Sequence, residues 1–155
     1  FVSFFTGQTF DIGSLTCLGM SGSNILAIGG ASGFIARSSD GGINWTTRKP
    51  SALFTSIAYN GSVYVAVSSD KICATSTDGI NWTRRADFSD SVFDIATSGS
   101  LFVAVGGSES VYMTTSTDGI NWTTRSPNGL ANSYFKNIVF GKRETDSQRM
   151  KFIRT

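Results

Sequence analysis

An all-β chain of small four-stranded antiparallel sheets is predicted by three observations. The string from Ser76 to Arg85 returns almost unchanged from Ser116 to Arg125, and a third copy runs from Ser38 to Arg48 with one glycine inserted. A fixed period of about 40 residues marks a repeat architecture. Between the copies lie only strand-sized apolar stretches bounded by Gly, Asn, Ser and Asp, and no helical periodicity of useful length. Finally, Val63 to Val67 and Leu101 to Val105 are nearly continuous apolar runs. A strand with one face in water alternates; a continuous run needs both faces covered. Small antiparallel sheets, each sandwiched between its neighbours, make a β-propeller.

Each repeat has the same internal order. In the second, Thr55 to Tyr59 reads as a first strand and Asn60-Gly61-Ser62 as a turn. Val63 to Val67 reads as the second strand, and Ser68-Ser69-Asp70 as a second turn. Lys71 to Thr75 reads as the third strand, leading into the Asp-Gly turn, and a fourth begins at Trp82 and runs to Arg85. The third repeat matches with Phe93 to Thr97, Leu101 to Val105, Val111 to Thr115 and Trp122 to Arg125. The first matches with Leu15 to Met20, Ile25 to Ile28, Phe34 to Arg37 and Trp45 to Arg48. The repeats thus span about 14–48, 53–85 and 90–125 of one domain, 1–155.

The ends read as half blades. Tyr134 to Phe140 and Met150 to Arg154 form two strands of a half blade over 134–155, and Phe1 to Phe5 is a third strand in a half blade over 1–12. Thr6 to Phe10 reads as a worn Asp-Gly turn, with Phe10 at the tryptophan position. Joined, the halves give about four blade equivalents. Three arrangements stay open: closure within the chain, pairing between copies in a head-to-tail assembly, and a segment of a longer propeller.

Composition narrows the function classes. Charged residues are only 15% and net charge is +2, against about a quarter charged in ordinary soluble domains. Low charge with abundant Ser, Thr, Gly and Asn leans toward an extracellular or virion-associated protein. The basic stretch from Lys142 to Arg154 also carries Glu144 and Asp146, so no nucleic-acid partner is expected. No apolar run approaches the roughly 18 residues of a membrane helix, and no membrane insertion is expected. Cys17 and Cys73 are expected to be free thiols.

The repeated strings resemble the Asp-box, or bacterial neuraminidase repeat, with its Ser/Thr-x-Asp-x-Gly-x-x-Trp pattern. Ser38, Asp40, Gly42 and Trp45 fit that spacing. Ser76, Asp78, Gly79 and Trp82, and Ser116, Asp118, Gly119 and Trp122, are one residue shorter, and this shorter form looks like propeller repeats of phage tail and virion-associated proteins. The physical role expected is structural. The Asp accepts hydrogen bonds from N–H groups just ahead of it, the Gly takes a positive φ, and the Trp buries its ring between blades.

The resemblance also raises a sialidase reading, which the residues disfavour. Sialidases resembling this fold need an arginine triad, a Tyr–Glu pair and an acidic Asp. Here only Glu109 and Glu144 are available, both in predicted loops, and Arg48, Arg85 and Arg125 recur identically after each Trp. A catalytic constellation must be unique, so residues copied in every blade read as structural. With no histidine, a Ser-His-Asp triad and His-ligated metals are absent, and no phosphate-cradling glycine motif occurs. No catalytic residue, metal or cofactor is expected.

Binding is more open. Tyr59, Tyr64, Phe102 and Tyr112 lie on predicted strands and read as core rather than as a glycan platform; Tyr134 and Phe135 are equally ambiguous. Asn44, Asn60, Asn81 and Asn121 each fit Asn-x-Ser/Thr and are N-glycosylation acceptors if a eukaryote secretes the chain. The expected function is a non-catalytic structural or interaction propeller of a virion appendage or other extracellular assembly, with self-association or neighbouring domains as partners. The alternative is a carbohydrate- or receptor-binding adhesion module, with a glycosidase fragment last.

Overall fold

The computed structural model describes residues 15–21, 24–29, 34–48, 52–85, 87–126, 135–142 and 148–153. Fourteen strands appear there, in chain order, and no helix. Strands β1 (Leu15–Ser21), β2 (Asn24–Gly29), β3 (Phe34–Ser38) and β4 (Thr46–Arg48) form the first antiparallel sheet in that order. The second is β5 (Ser56–Tyr59), β6 (Tyr64–Val67), β7 (Cys73–Ser76) and β8 (Thr83–Arg84). The third is β9 (Val92–Thr97), β10 (Phe102–Gly106), β11 (Tyr112–Ser116) and β12 (Thr123–Arg125). A two-stranded sheet, β13 (Asn137–Lys142) and β14 (Gln148–Ile153), follows. The architecture is a β-propeller, and among the described residues its sheets do not close into a ring. The proposed N-terminal half blade, 1–12, lies outside the described residues.

The first strands β1, β5, β9 and β13 pack side by side in sequence, which makes them the inner edge. The fourth strands β4, β8 and β12 are exposed along their length and form the outer edge. Between the edges the second and third sheets are covered on both faces. In β6, Tyr64 and Ala66 pack into a cluster with Leu26, Ile28 and Ile35 of the first sheet. The intervening Val65 and Val67 pack with Phe102 and Ala104 of the third. Val103 and Val105 of β10 then pack with Ile138 of the two-stranded sheet and with Phe135 just ahead of it. Side chains therefore alternate between two dry interfaces, which is why the sequence shows no alternation.

Several boundaries differ from expectation. The fourth strands begin one residue after each Trp, at Thr46, Thr83 and Thr123, because the indole folds back on the turn and holds its residue out of the ladder. The third strand of the second sheet starts at Cys73 rather than Lys71, since Lys71 takes φ 67°, a turn conformation. The half blade begins pairing at Asn137 and β14 already at Gln148. Tyr134, Glu144 and Arg154 lie outside the described residues, as does the thiol of Cys17.

Candidate functional site

The repeated Asp-Gly turns connect the third and fourth strands of each full sheet, and their polar atoms are used internally. In the third sheet, the Ser116 hydroxyl donates to Asp118 Oδ1 at 2.9 Å and accepts the Gly119 N–H at 2.8 Å. Asp118 Oδ1 also accepts the N–H groups of Ile120 and Asn121, both at 2.8 Å, and Oδ2 accepts Asn121 Nδ2 at 2.8 Å. The second sheet repeats this with Ser76, Asp78, Gly79, Ile80 and Asn81. A carboxylate receiving this many donors is stabilised in its charged form. The N–H of Asn121 and that of Asn81 lead in holding Asp118 and Asp78 well below the ordinary carboxylate range. In the first sheet the N–H of Asn44 leads, and Asp40 is lowered to about 2.

The first copy shows how the extra glycine is absorbed. Ser38 Oγ accepts from Gly42, four residues on, rather than from the third residue as in the other copies. Gly41 and Gly42 both have positive φ, at 73° and 94°. Gly42 is buried and its carbonyl accepts the Trp45 indole N–H at 2.8 Å, as those of Gly79 and Gly119 accept from Trp82 and Trp122 at 3.3 Å. Gly42 is thus the equivalent of Gly79 and Gly119, and Gly41 is the insertion.

The turns of the second and third sheets lean on the preceding sheet. Gly119 approaches Val65 and Thr75, and its carbonyl accepts the Cys73 thiol at 3.6 Å. Gly79 sits over Leu26 and Arg37. The indoles follow: half-buried Trp82 packs into the cluster between the first and second sheets, Trp122 into that between the second and third. A phenylalanine just ahead of the same sheet's first strand braces each ring. Phe54 meets Trp82 at 5.7 Å between centroids, and Phe88 meets Trp122 edge-on at 5.2 Å. Burial pushes the Cys73 thiol up to about 11, which leaves it inert as a nucleophile at neutral pH.

The remaining candidates are placed as follows. Tyr64, Phe102, Tyr112 and Phe135 are buried, and Tyr59 is half-buried and stacks on Tyr64 at 4.1 Å; these rings pack in or against the core. Asn44, Asn81 and Asn121 are exposed but donate their amides to the turn aspartates. Asn60 caps its own turn by accepting the N–H groups of Ser62 and Val63. Arg85 and Arg125 donate Nε to Thr75 and Thr115, at 2.8 and 3.0 Å. Glu109 is exposed. Among the described residues no three His, Cys, Asp or Glu side chains gather to hold a metal ion, and no helix is long and apolar enough to cross a membrane.

Sequence reasoning missed Asp94. On β9 its Oδ1 accepts the Ser56 hydroxyl of β5 at 2.5 Å and its Oδ2 accepts the Ile138 N–H of β13 at 2.7 Å. One carboxylate thereby ties three consecutive inner strands. Its only signal was a charged residue inside an otherwise apolar predicted strand.

The comparisons agree on the fold. A chain from the crystal structure of a nidogen/laminin complex matches with TM-score 0.68 and 16% identity, over 82% of this chain and 52% of that one. The computationally designed Ika4 protein matches with TM-score 0.67 and 11% identity over 98% of both chains. YCF48 bound to D1 peptide matches with TM-score 0.64 and 17% identity, over 80% of this chain and 42% of that one. The chain thus spans about half the length of the first of these and less of the third. No curated protein matches. Residues 50–153 match the DUF6242 beta propeller domain, and the chain belongs to that family.

Proposed function

We propose that this chain is a non-catalytic propeller module whose Asp-box turns serve structure and whose exposed edges serve interaction. Its setting in this reading is an extracellular assembly such as a virion appendage. The observation that carries the reading is that the chemistry repeated in every full sheet is consumed within it. Asp40, Asp78 and Asp118 spend their oxygens on their own turns, and Trp45, Trp82 and Trp122 spend their indole N–H groups on the turn carbonyls. Catalysis needs a constellation that departs from the repeat and keeps free lone pairs for substrate. The low charge fraction supports an extracellular setting.

A panel of sialosides and other glycosides incubated with the purified chain tests the reading directly. No turnover is expected; sustained turnover abolished by Glu109→Gln would replace this reading with the glycosidase one.

A second reading, a partner-binding adhesion module, draws on the similar structures of a nidogen/laminin complex and of YCF48 bound to D1 peptide. Those two complexes favour a protein partner over a glycan. Saturable binding on a glycan array would reverse that preference. A solution mass above that of one chain would assign self-association as part of the role.

A further inference from the structure

Arg37 breaks the repeat at a position where the other full sheets agree. It immediately precedes the turn serine Ser38, as Thr75 precedes Ser76 and Thr115 precedes Ser116. In the second and third sheets that threonine is the acceptor for the outer-strand arginine, Arg85 or Arg125. In the first sheet the outer-strand arginine is Arg48, which pairs opposite Ile35 and so lies diagonal to Arg37 on the same face. That face looks toward the second sheet, because the Arg37 Cδ and Nε lie against Gly79. Where the other sheets set one donor against one acceptor, this corner places two arginines at diagonal positions of one face.

Among the described residues no carboxylate pairs with Arg37 or Arg48. Arg37 Nη2 donates to Asn24 Oδ1 at 3.0 Å, and Asn24 is itself a departure from Val63 and Leu101 of the other sheets. Arg37 Nε is shut off from solvent with no hydrogen-bond partner. Among the described residues Arg48, which is exposed, makes no ion pair, and the only ion pair is the distant Arg84–Asp87. An unpartnered buried N–H is unfavourable. A group that carries negative charge and several lone pairs satisfies it, and the planar guanidinium fork fits an oxyanion.

We propose that Arg37 and Arg48, at the outer end of the interface between the first and second sheets, form a binding site for an oxyanion of the carboxylate or phosphate type. Arg48 is the exposed side chain whose movement admits the anion, and Arg37, anchored by Asn24, is the fixed wall. The inference concerns binding and is independent of whether the propeller is catalytic.

Two-dimensional NMR of the arginine Nε–H groups tests this on the intact chain. Inorganic phosphate, sulfate and acetate are titrated separately at constant ionic strength made up with chloride. A saturable shift of the Arg37 Nε–H with millimolar Kd is expected for at least one probe. Response to acetate alone assigns a carboxylate ligand, and response to phosphate or sulfate a tetrahedral one. Arg37→Thr installs the residue of the other two sheets, so it is expected to fold while abolishing any saturable response at the Arg48 Nε–H. Arg48→Gln, on an exposed position, is expected to weaken binding at least about tenfold. Non-saturable shifts with all three probes, or equal affinity in Arg48→Gln, would overturn the site.

Discussion

Gly119 in the third sheet rests on Val65 in the second so closely that a Cβ on the glycine would lie 2.5 Å from Val65 Cγ2. Its φ of 74° is also in the left-handed region. The glycine is therefore required twice, once by the turn and once by the neighbouring sheet. That double requirement makes the Asp-Gly turn a device for docking sheets as well as for reversing the chain.

A graded alanine series separates the two requirements. Gly41, at φ 73° with nothing within 4 Å of an added Cβ, pays only for backbone conformation, and Gly41→Ala is expected to cost about 1 kcal/mol. Gly79 meets Leu26 Cδ1 at 3.0 Å, the movable end of a side chain, so Gly79→Ala is expected to cost more. Gly119→Ala adds overpacking against Val65 and is expected to cost about 2–5 kcal/mol. Urea denaturation of the three variants checks the order Gly41, Gly79, Gly119.

Between pH 2 and 8, stability should fall only on the acid side. Asp40, Asp78 and Asp118 have folded-state pKa values below their unfolded ones. Their contribution is therefore complete above the unfolded value near 4 and is lost as pH falls through the folded values, about 2 for Asp40 and lower for the other two. With no histidine in the chain, the free energy of unfolding is expected to be flat from about pH 5 to 8. Denaturant melts across pH 2–8 check this. Asp78→Asn combined with Asp118→Asn is expected to flatten the acid limb and lower the plateau.

Asp94→Ala should loosen the inner edge. It leaves the Ser56 hydroxyl and the Ile138 N–H without their acceptor, and hydrogen bonds to a charged group are worth about 1.5–3 kcal/mol. Faster amide hydrogen exchange at Ile138 is the expected sign, with the Asp-Gly turns of the other sheets unaffected.

Thr114→Val should stabilise. Thr114 is fully buried, its hydroxyl has no partner, and the matching residue of the other full sheets is Ala36 or Ala74. Replacing the hydroxyl by a methyl of similar shape removes a stranded dipole. A gain of about 1 kcal/mol in the same denaturant melts is expected.

Much of the fold was readable because it rests on local chemistry. The Ser-x-Asp turns, the positive-φ glycines and the doubly covered runs at Val63 to Val67 and Leu101 to Val105 each declare themselves within a few residues. What was not readable depends on contacts between sheets. Phe54 and Phe88 carry no local motif, yet they brace Trp82 and Trp122. Asp94 carries none either, yet it sits at the register position of Ser56, opposite the matching valines Val105 and Val67, and bonds to it across the inner edge. The Trp residues were expected to open the fourth strands, but each indole N–H is donated to the turn carbonyl and the ladder begins one residue later. Arg37 differs from Thr75 and Thr115 by a substitution whose meaning appears only when Arg48 and Gly79 are placed around it.

The docking of a turn on the sheet before it is tested most directly by a double-mutant cycle between Gly119→Ala and Val65→Ala. Removing the Val65 methyls makes room for the new Cβ. The double variant is therefore predicted to be less destabilised than the sum of the two single variants by about 1 kcal/mol or more. Additivity within about 0.3–0.5 kcal/mol would mean that the two residues do not bear on one another, and would contradict the account.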